Sequence, residues 1–333
     1  MIDFFEGESA DEAWRKAANR FFHLKNASWQ ESRQGPTIEL LHSTFFVREP
    51  LQRWVLSREP SINPAFAIAE VFWILSGSNK ASFLNYWNPR LPKFAGSGSE
   101  YHGAYGHRLR SSFGLDQLVR AKEALSANPN SRQVVLQIWH PELDLPKNDG
   151  SPSSADVPCN VCSMPKVRNG KLEWLQVMRS NDLFLGSPHN FVQFTTLQEV
   201  LAGWLGLEVG SYAQISDSLH CYKNDLETYG VAKDQQQAEN SDDLRLPFSD
   251  FQKVFGRSLE IMHRLCAPDL SKAELAGIEK EELLNPYKNQ LLICAADSAR
   301  RRGWEEEMGK LALGCSNPAL KQAWRAWLGR WES

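Results

Sequence analysis

Apolar residues recur with two different periods along this chain, and the switches between them mark out its elements. Thr37 to Val47 (Thr-Ile-Glu-Leu-Leu-His-Ser-Thr-Phe-Phe-Val) and Gln133 to Trp139 (Gln-Val-Val-Leu-Gln-Ile-Trp) are rich in β-branched and aromatic residues and bounded by turn formers, which predicts strands. Leu172 to Met178 alternates less cleanly. It follows Arg-Asn-Gly-Lys (168–171), an Asn-Gly hairpin signal that pairs it with the run after Cys159. A further strand is expected at Leu207 to Ile215. Apolar residues spaced three and four apart predict helices at Ala10 to Phe22, Pro64 to Leu75, Leu115 to Ser126 and Phe191 to Leu205. Asn63-Pro64 is a good helix start, because Asn caps and Pro fits the first turn. From Pro247 onward the pattern is helical, with Trp304, Trp324, Trp327 and Trp331 in an amphipathic, charge-rich tail. Polar stretches at Pro146 to Asp156 and Lys233 to Asp243 read as loops. The expectation is an α+β fold with a central sheet and flanking helices. We expect one domain, with a body over 1–246 and a helical C-terminal extension over 247–333.

Composition narrows the class. The 333 residues are 42% hydrophobic and 11% aromatic, as in a soluble globular protein with ample core. A formal net charge of −3 gives no support to binding long nucleic acid, although a local basic pocket can still hold one small phosphate. There is no 18-residue apolar run, and the first residues, Met-Ile-Asp-Phe-Phe-Glu-Gly-Glu-Ser, are acidic where a signal peptide would be basic, so we expect a cytoplasmic protein away from membranes. The six scattered cysteines (159, 162, 221, 266, 294, 315) read as free thiols, most of them small buried apolar residues.

Chemistry concentrates between Cys159 and Tyr222. Val-Pro-Cys-Asn (157–160) is followed by Met-Arg-Ser-Asn-Asp-Leu-Phe-Leu-Gly-Ser-Pro-His-Asn (178–190) and by Asp-Ser-Leu-His-Cys-Tyr (217–222). A thiol, an arginine-serine pair, an amide and a His-x-Tyr pair are what a site needs to attack an electron-poor ring while gripping a phosphate and a sugar. Cys159 and Cys162 could instead form a metal or disulfide pair, but no second Cys-x-x-Cys and no histidine cluster at ligand spacing accompanies them, so no metal is expected.

These segments resemble the thymidylate synthase family, which includes the nucleotide hydroxymethylases. The resemblance is carried, in order, by Ser-Arg-Gln-Gly-Pro-Thr (32–37), Ala-Glu-Val-Phe-Trp-Ile-Leu-Ser-Gly (69–77), Ala-Tyr-Gly-His-Arg-Leu-Arg (104–110), Asn-Ser-Arg-Gln-Val-Val-Leu-Gln-Ile-Trp (130–139) and the three segments above. It implies a mixed central sheet and folate-dependent one-carbon transfer to C5 of a pyrimidine nucleotide, with 5,10-methylenetetrahydrofolate as donor. C5 of uracil is a poor nucleophile until a thiolate adds at C6, the role the resemblance gives Cys159. By the same resemblance Glu70 organises ordered water, Tyr105 assists removal of the C5 proton, and Arg179 with Ser180 binds phosphate. Arg33 matches a mobile-loop arginine and Arg132 one donated across a homodimer with shared sites. His220 and Tyr222 match a pair for the sugar 3′-hydroxyl, and Asp182 a folate-contacting aspartate. Asn190 can accept from uracil N3–H and donate to O4, which favours dUMP or UMP, although an amide can also flip to suit CMP or dCMP.

The departures bear on the product. Gln133 stands where the family has a second arginine, Asn160 where it has a histidine, and Leu91 near the position of a tryptophan that shields the exocyclic methylene, although Trp87 could serve after a gap. The C-terminus differs from the short apolar tail that closes over folate. Hydride transfer, which gives a methyl group, needs a closed, dry site. Loss of the shield and of the tail favours water, hence 5-hydroxymethylation; reductive methylation of dUMP to dTMP stays open. Two readings lie outside this class. A catalytically dead nucleotide-binding protein would not need the thiol. A cysteine hydrolase would need a histidine base at Cys159, whereas His220 fits sugar binding better.

Overall fold

The computed structural model describes residues 2–24, 28–32, 35–232 and 237–329, so Arg33 and Trp331 lie outside the described residues. Its centre is a six-stranded mixed sheet built from β1 (Phe4–Gly7), β2 (Thr37–Val47), β4 (Leu136–Gln137), β5 (Asn160–Arg168), β6 (Lys171–Asp182) and β7 (Glu208–Tyr222). The two remaining strands, β3 (Arg58–Glu59) and β8 (Gly230–Val231), form a small ribbon of their own. The sheet order is β1-β2-β7-β6-β5-β4, with β1/β2 and β6/β7 parallel and the other neighbours antiparallel.

The Asn-Gly hairpin forms as expected. Asn169 and Gly170 both take positive φ, 52° and 75°, the geometry a two-residue turn between twisted strands demands. The register pairs Arg168 with Lys171 and reaches Asn160 opposite Met178, so the turn sets which residues of β6 stand beside the cysteine. Several expectations shift, β7 among them, which runs on from Ile215 to Tyr222. The strand over 133–139 shrinks to Leu136–Gln137, because it pairs only with β5 at the sheet's edge and Val135 turns outward, 48% exposed. The helix expected from Phe191 begins at Ser187, with Pro188 inside its first turn where no amide donor is needed, and ends at Gly206 in the left-handed conformation.

Two helices form the buried middle layer. Pro64–Ser76 is capped by Asn63, whose side chain accepts from Ala65 and Phe66 N–H, and all its residues but Glu70 and Ser76 are buried. Ser187–Leu205 is buried almost all round. An α-helix apolar on every side needs cover on every side. The C-terminal helices supply it: Phe248–Cys266, Asn285–Arg301 and Pro318–Gly329 pack against this pair. Phe255 stacks on Phe72 with centroids 5.3 Å apart, Phe248 and Phe251 meet Trp204 edge-on, and the Cys294 thiol faces Ala65 O at 3.7 Å.

Trp87 belongs to this seam. It is 1% exposed, packs edge-on against Phe83 and Tyr86, and its carbonyl accepts from Arg301. The ring therefore serves the junction with the C-terminal helices and does not shield the site. Trp324 and Trp327 are likewise buried, 3% and 1% exposed, against each other and Arg300.

Candidate active site

Cys159 sits immediately before β5, partly exposed, and its carbonyl accepts from the Arg179 amide at 2.9 Å, which extends the β5/β6 ladder to the nucleophile. The Arg179 side chain grips the same loop: Nε donates to Pro158 O at 2.8 Å and Nη2 to Val157 O at 3.0 Å. Its Nη1 bonds to no described residue, and the residue is exposed, so the cation beside the thiol keeps a donor for an anion.

Two glycines bring the other catalytic candidates to the thiol. A Cβ on Gly106 would lie 2.2 Å from Ile74 O, so only glycine lets the 105–107 turn rest on the end of the helix that carries Glu70. A Cβ on Gly103 would lie 2.7 Å from Asp156 O, and the Gly103 amide donates to Asp156 Oδ2 at 2.7 Å. The segment 103–107 is thus wedged between that helix and the loop ahead of Cys159. Tyr105 lands where burial, first, and then the neighbouring Cys159 raise its phenol well above the usual range, with the Asn160 amide opposing and Asp156 and Glu70 adding to the rise. The phenol stays protonated and available as a donor.

Glu70 interrupts an apolar helix, and its partner is His189, with Nδ1 2.8 Å from Oε2; each side chain is 16% exposed. His189 lies inside the longest motif, and sequence reasoning passes over it; the available signal was a titratable ring one residue before Asn190 at a buried helix start. Asn190 is 6% exposed and its amide donates to Asn181 Oδ1 at 3.2 Å. Asn181, another residue the motif reading gives no role, also accepts from Ser187 Oγ at 3.1 Å and donates to Ser216 Oγ at 3.0 Å. With the Asn181 oxygen accepting from both Ser187 and Asn190 and its amide donating to Ser216, Asn190 is presented in a fixed orientation with its carbonyl bonded to no described residue.

Asn160 is fully buried and braced within the sheet: its carbonyl accepts from Gln176 at 2.9 Å, Gln176 in turn accepts from Ser163 and Trp174, and the Asn160 side chain also reaches the Tyr105 hydroxyl. Cys162 is a strand residue of β5 whose thiol burial pushes up, unlike a nucleophile.

Parallel pairing of β6 with β7 sets Asp182 beside His220 and Ser180 beside Ser218. Ser180 Oγ lies 3.4 Å from His220 Nδ1, and the His220 and Tyr222 rings meet edge-on at 5.5 Å on one face, as residues two apart on a strand should. Asp182 Oδ1 accepts from Phe184 and Leu185 N–H, 2.8 Å each, forming the turn into the helix from Ser187. Burial raises this carboxyl despite His220, the two amides and Arg58. Arg58, stacked over Tyr229 at 4.3 Å, donates to Phe184 O. Asp225 completes the group, raised to about 6 by burial and by Asp182, with a buried Oδ2 that lacks a hydrogen-bond partner.

The structure brings Cys159, Tyr105, Glu70, Arg179, Ser180, Asn190, His220, Tyr222 and Asp182 to one end of β5, β6 and β7 and the helices beside them. Arg132 is not tied into this group: it is exposed and forms no hydrogen bond or ion pair with a described residue. Among the described residues no group of three or more His, Cys, Asp or Glu side chains is placed to hold a metal, and no helix is long and apolar enough to cross a membrane.

A thiol at the mouth of a mixed sheet, with a phenol, a carboxylate and a fixed amide around it, defines a nucleophilic group-transfer site. Residues 24–261 match the thymidylate synthase family model, and the chain belongs to that family. It is 36% identical over 250 residues to a deoxyuridylate hydroxymethyltransferase of Bacillus phage SP01, covering 72% of this chain and 57% of that protein. A protein of the same name from Pseudomonas phage M6 is 33% identical over 59% of this chain and 56% of its own length. A thymidylate synthase of Francisella philomiragia is 30% identical over 48% of this chain and 62% of its own. The chain thus spans somewhat more than half the length of the curated relatives it matches.

Proposed function

We propose that this protein transfers a one-carbon unit from 5,10-methylenetetrahydrofolate to C5 of a pyrimidine nucleotide, dUMP or UMP, and that water completes the reaction to give a 5-hydroxymethyl product. The observation that carries the reading is the clasp of Arg179 on the nucleophile loop: its amide donates to Cys159 O, its Nε and Nη2 to Pro158 O and Val157 O, and a cation is thereby held beside the thiol. In this scheme Cys159 adds to C6 and Tyr105 relays the C5 proton. The free donor of Arg179, with Ser180, and Arg33 where its loop reaches, take the phosphate. Asn190 faces the uracil edge with an unengaged carbonyl, and His220 and Tyr222 take the sugar hydroxyl.

The folate supplies the one-carbon unit when bound. Asp182 and Asp225 fit a pterin ring, because the buried Oδ2 of Asp225 lacks a hydrogen-bond partner and the two carboxyls together offer acceptors for its N–H donors. Hydroxymethylation is supported by the names of the phage relatives and by Trp87, which is committed to the C-terminal seam and leaves the methylene without that shield. The exposed Arg132, with no hydrogen bond or ion pair to a described residue, fits donation to a second copy, so we read a homodimer with shared sites, acting in the cytoplasm. The helices after 247 belong with the body over 1–246 as one catalytic domain, given the shared core.

The test is the mass of the nucleotide formed from dUMP, UMP, dCMP or CMP with methylenetetrahydrofolate. A gain of CH2O, with tetrahydrofolate as coproduct, is expected. A gain of CH2 with stoichiometric dihydrofolate would instead make the reaction reductive methylation, with the roles of Cys159, Arg179 and Asn190 unchanged.

A further inference from the structure

Catalytic carboxylates on buried helices need a partner, and the partner chosen here is titratable. His189 Nδ1 and Glu70 Oε2 lie 2.8 Å apart as an ion-pair contact, both atoms are buried, and neither makes a hydrogen bond of good geometry to any described residue. The remaining atoms of the pair behave differently. His189 Nε2 and Glu70 Oε1 are bonded to no described residue and are not among the buried unpartnered atoms, so each meets open space. The ring is steadied by Phe66, which meets it edge-on at 5.2 Å from the previous turn of Glu70's own helix. A carboxylate facing Nδ1 holds the proton on that nitrogen and leaves a lone pair on Nε2, the tautomer of a general base. Asn190, the next residue, is the candidate contact to the base edge, and Glu70 is the candidate organiser of water at that ring, so the Glu70–His189 contact sets the imidazole on the base side of the site.

We propose that His189 is the general base that activates water for addition to the exocyclic methylene, with Glu70 holding its tautomer and stabilising the imidazolium that forms. The proposal rests on the hydroxymethylation reading. After the folate has left, the nucleotide carries C5=CH2 and a C6–S bond to Cys159. The water oxygen bonds to the CH2 carbon, the C5=CH2 π pair moves into the ring as the C4–O4 enolate, and the water proton goes to His189 Nε2. Collapse of the enolate forms C5=C6 and expels the Cys159 thiolate. His189 then returns its proton to solvent, and no oxidant or reductant is consumed.

The test follows a single turnover of the full-length protein, with enzyme in excess, by two readouts, tritium release from C5-labelled dUMP and hydroxymethyl nucleotide formed. His189→Phe keeps the aromatic contact with Phe66 and removes the base. Hydroxymethyl product per tritium released should fall on the order of 10²-fold, the usual contribution of a general base, while intact-protein mass spectrometry shows nucleotide methylene accumulating on Cys159. His189→Ala should regain part of its product yield when imidazole is added, a rescue that a packing role would not give. His189→Gln covers the case in which the phenylalanine variant does not fold. Product and tritium release falling in proportion in the folded variants, or hydroxymethyl formation at the native rate, would overturn the role of His189 while leaving the reaction assignment standing. Wild-type protein that forms the methyl nucleotide with dihydrofolate would overturn the reaction assignment itself, and this proposal with it.

Discussion

Glu70 and Glu199 are both carboxylates on the two central helices, and the fold treats them in opposite ways. Glu199 is fully buried and fully partnered: Arg53 Nη2 lies 2.5 Å from Oε2, and the Leu244 amide donates to Oε1 at 2.7 Å. Around it Asp242 accepts from Asn289 and Asn317, 2.7 Å each, so the 240–244 segment is stitched to the helices on either side. Glu70 has a single ion-pair contact, to His189, and its buried Oε2 makes no hydrogen bond to a described residue. A buried charge with every lone pair engaged is committed to holding a seam together, and no acid-base work is left for it. A charge kept half-partnered at the end of a mixed sheet, next to a thiol, is available for chemistry.

The contrast predicts two kinds of loss. Cys159→Ala should give the largest effect on chemistry, lowering C5 tritium release about 10⁴-fold or more with the melting temperature nearly unchanged, since burial pushes the neighbouring thiols of Cys162 and Cys221 up and keeps them poor nucleophiles. Residual exchange near the native level would remove Cys159 from the mechanism.

Exchanging each glutamate for its amide isolates the difference directly. Glu70→Gln should lower turnover by about 10² to 10³ while denaturant unfolding stays close to native, because the amide fills the same space. Glu199→Gln should do the reverse: it leaves the Arg53 guanidinium buried without its counter-charge, a change that costs about 3–5 kcal/mol, whereas the protein that remains folded keeps its specific activity. If Glu70→Gln were the destabilising one and Glu199→Gln the inactive one, the distinction between seam and site would be drawn in the wrong place.

Much of this arrangement is legible in the chain wherever the signal is local. The helix Ala10–Phe22, the strand Thr37–Val47 and the Asn169-Gly170 turn follow from short-range pattern and match the structure closely. What is missed depends on pairing between distant segments. β1 carries Glu6 in a stretch too short and acidic to announce itself, and it exists because it pairs in parallel with Thr44–Val47. The polar tail of β6, Arg179 to Asp182, and of β7, through Tyr222, stays extended because each lies between neighbours that satisfy its backbone. The collinear motifs placed the nucleophile, phosphate, base and sugar contacts at one end of the sheet, but not the pairing of His189 with Glu70, which is separated by 119 residues and set by how two helices cross. Nor could spacing reveal that Trp87 faces the C-terminal helices, since its exposure is decided by Arg301 and Phe83.

The smallest effect expected from the comparison is a pH dependence at the edge of the site. Asp242, in the seam, is raised by burial, but Asn317 and Asn289 donate to it and hold it down. Asp225, beside the site, has no such donor on its buried oxygen and is raised to about 6 by burial and by Asp182, against an ordinary value of 3.8. A carboxyl raised in the folded state binds its proton more tightly there than in the unfolded chain. The folded protein is therefore favoured at low pH and loses that advantage as pH climbs from about 4 through about 6. Asp225→Asn removes the titration, so its melting temperature should change less than that of the native protein across this interval, and the two curves should separate above pH 6 with the variant the more stable. Because the group is half-exposed, solvent screens the effect, and the separation should be modest. A native curve that rises between pH 4 and 6 as steeply as the variant's would mean that the Asp182–Asp225 pair is relieved in solution, and that this edge of the site is as well partnered as the seam.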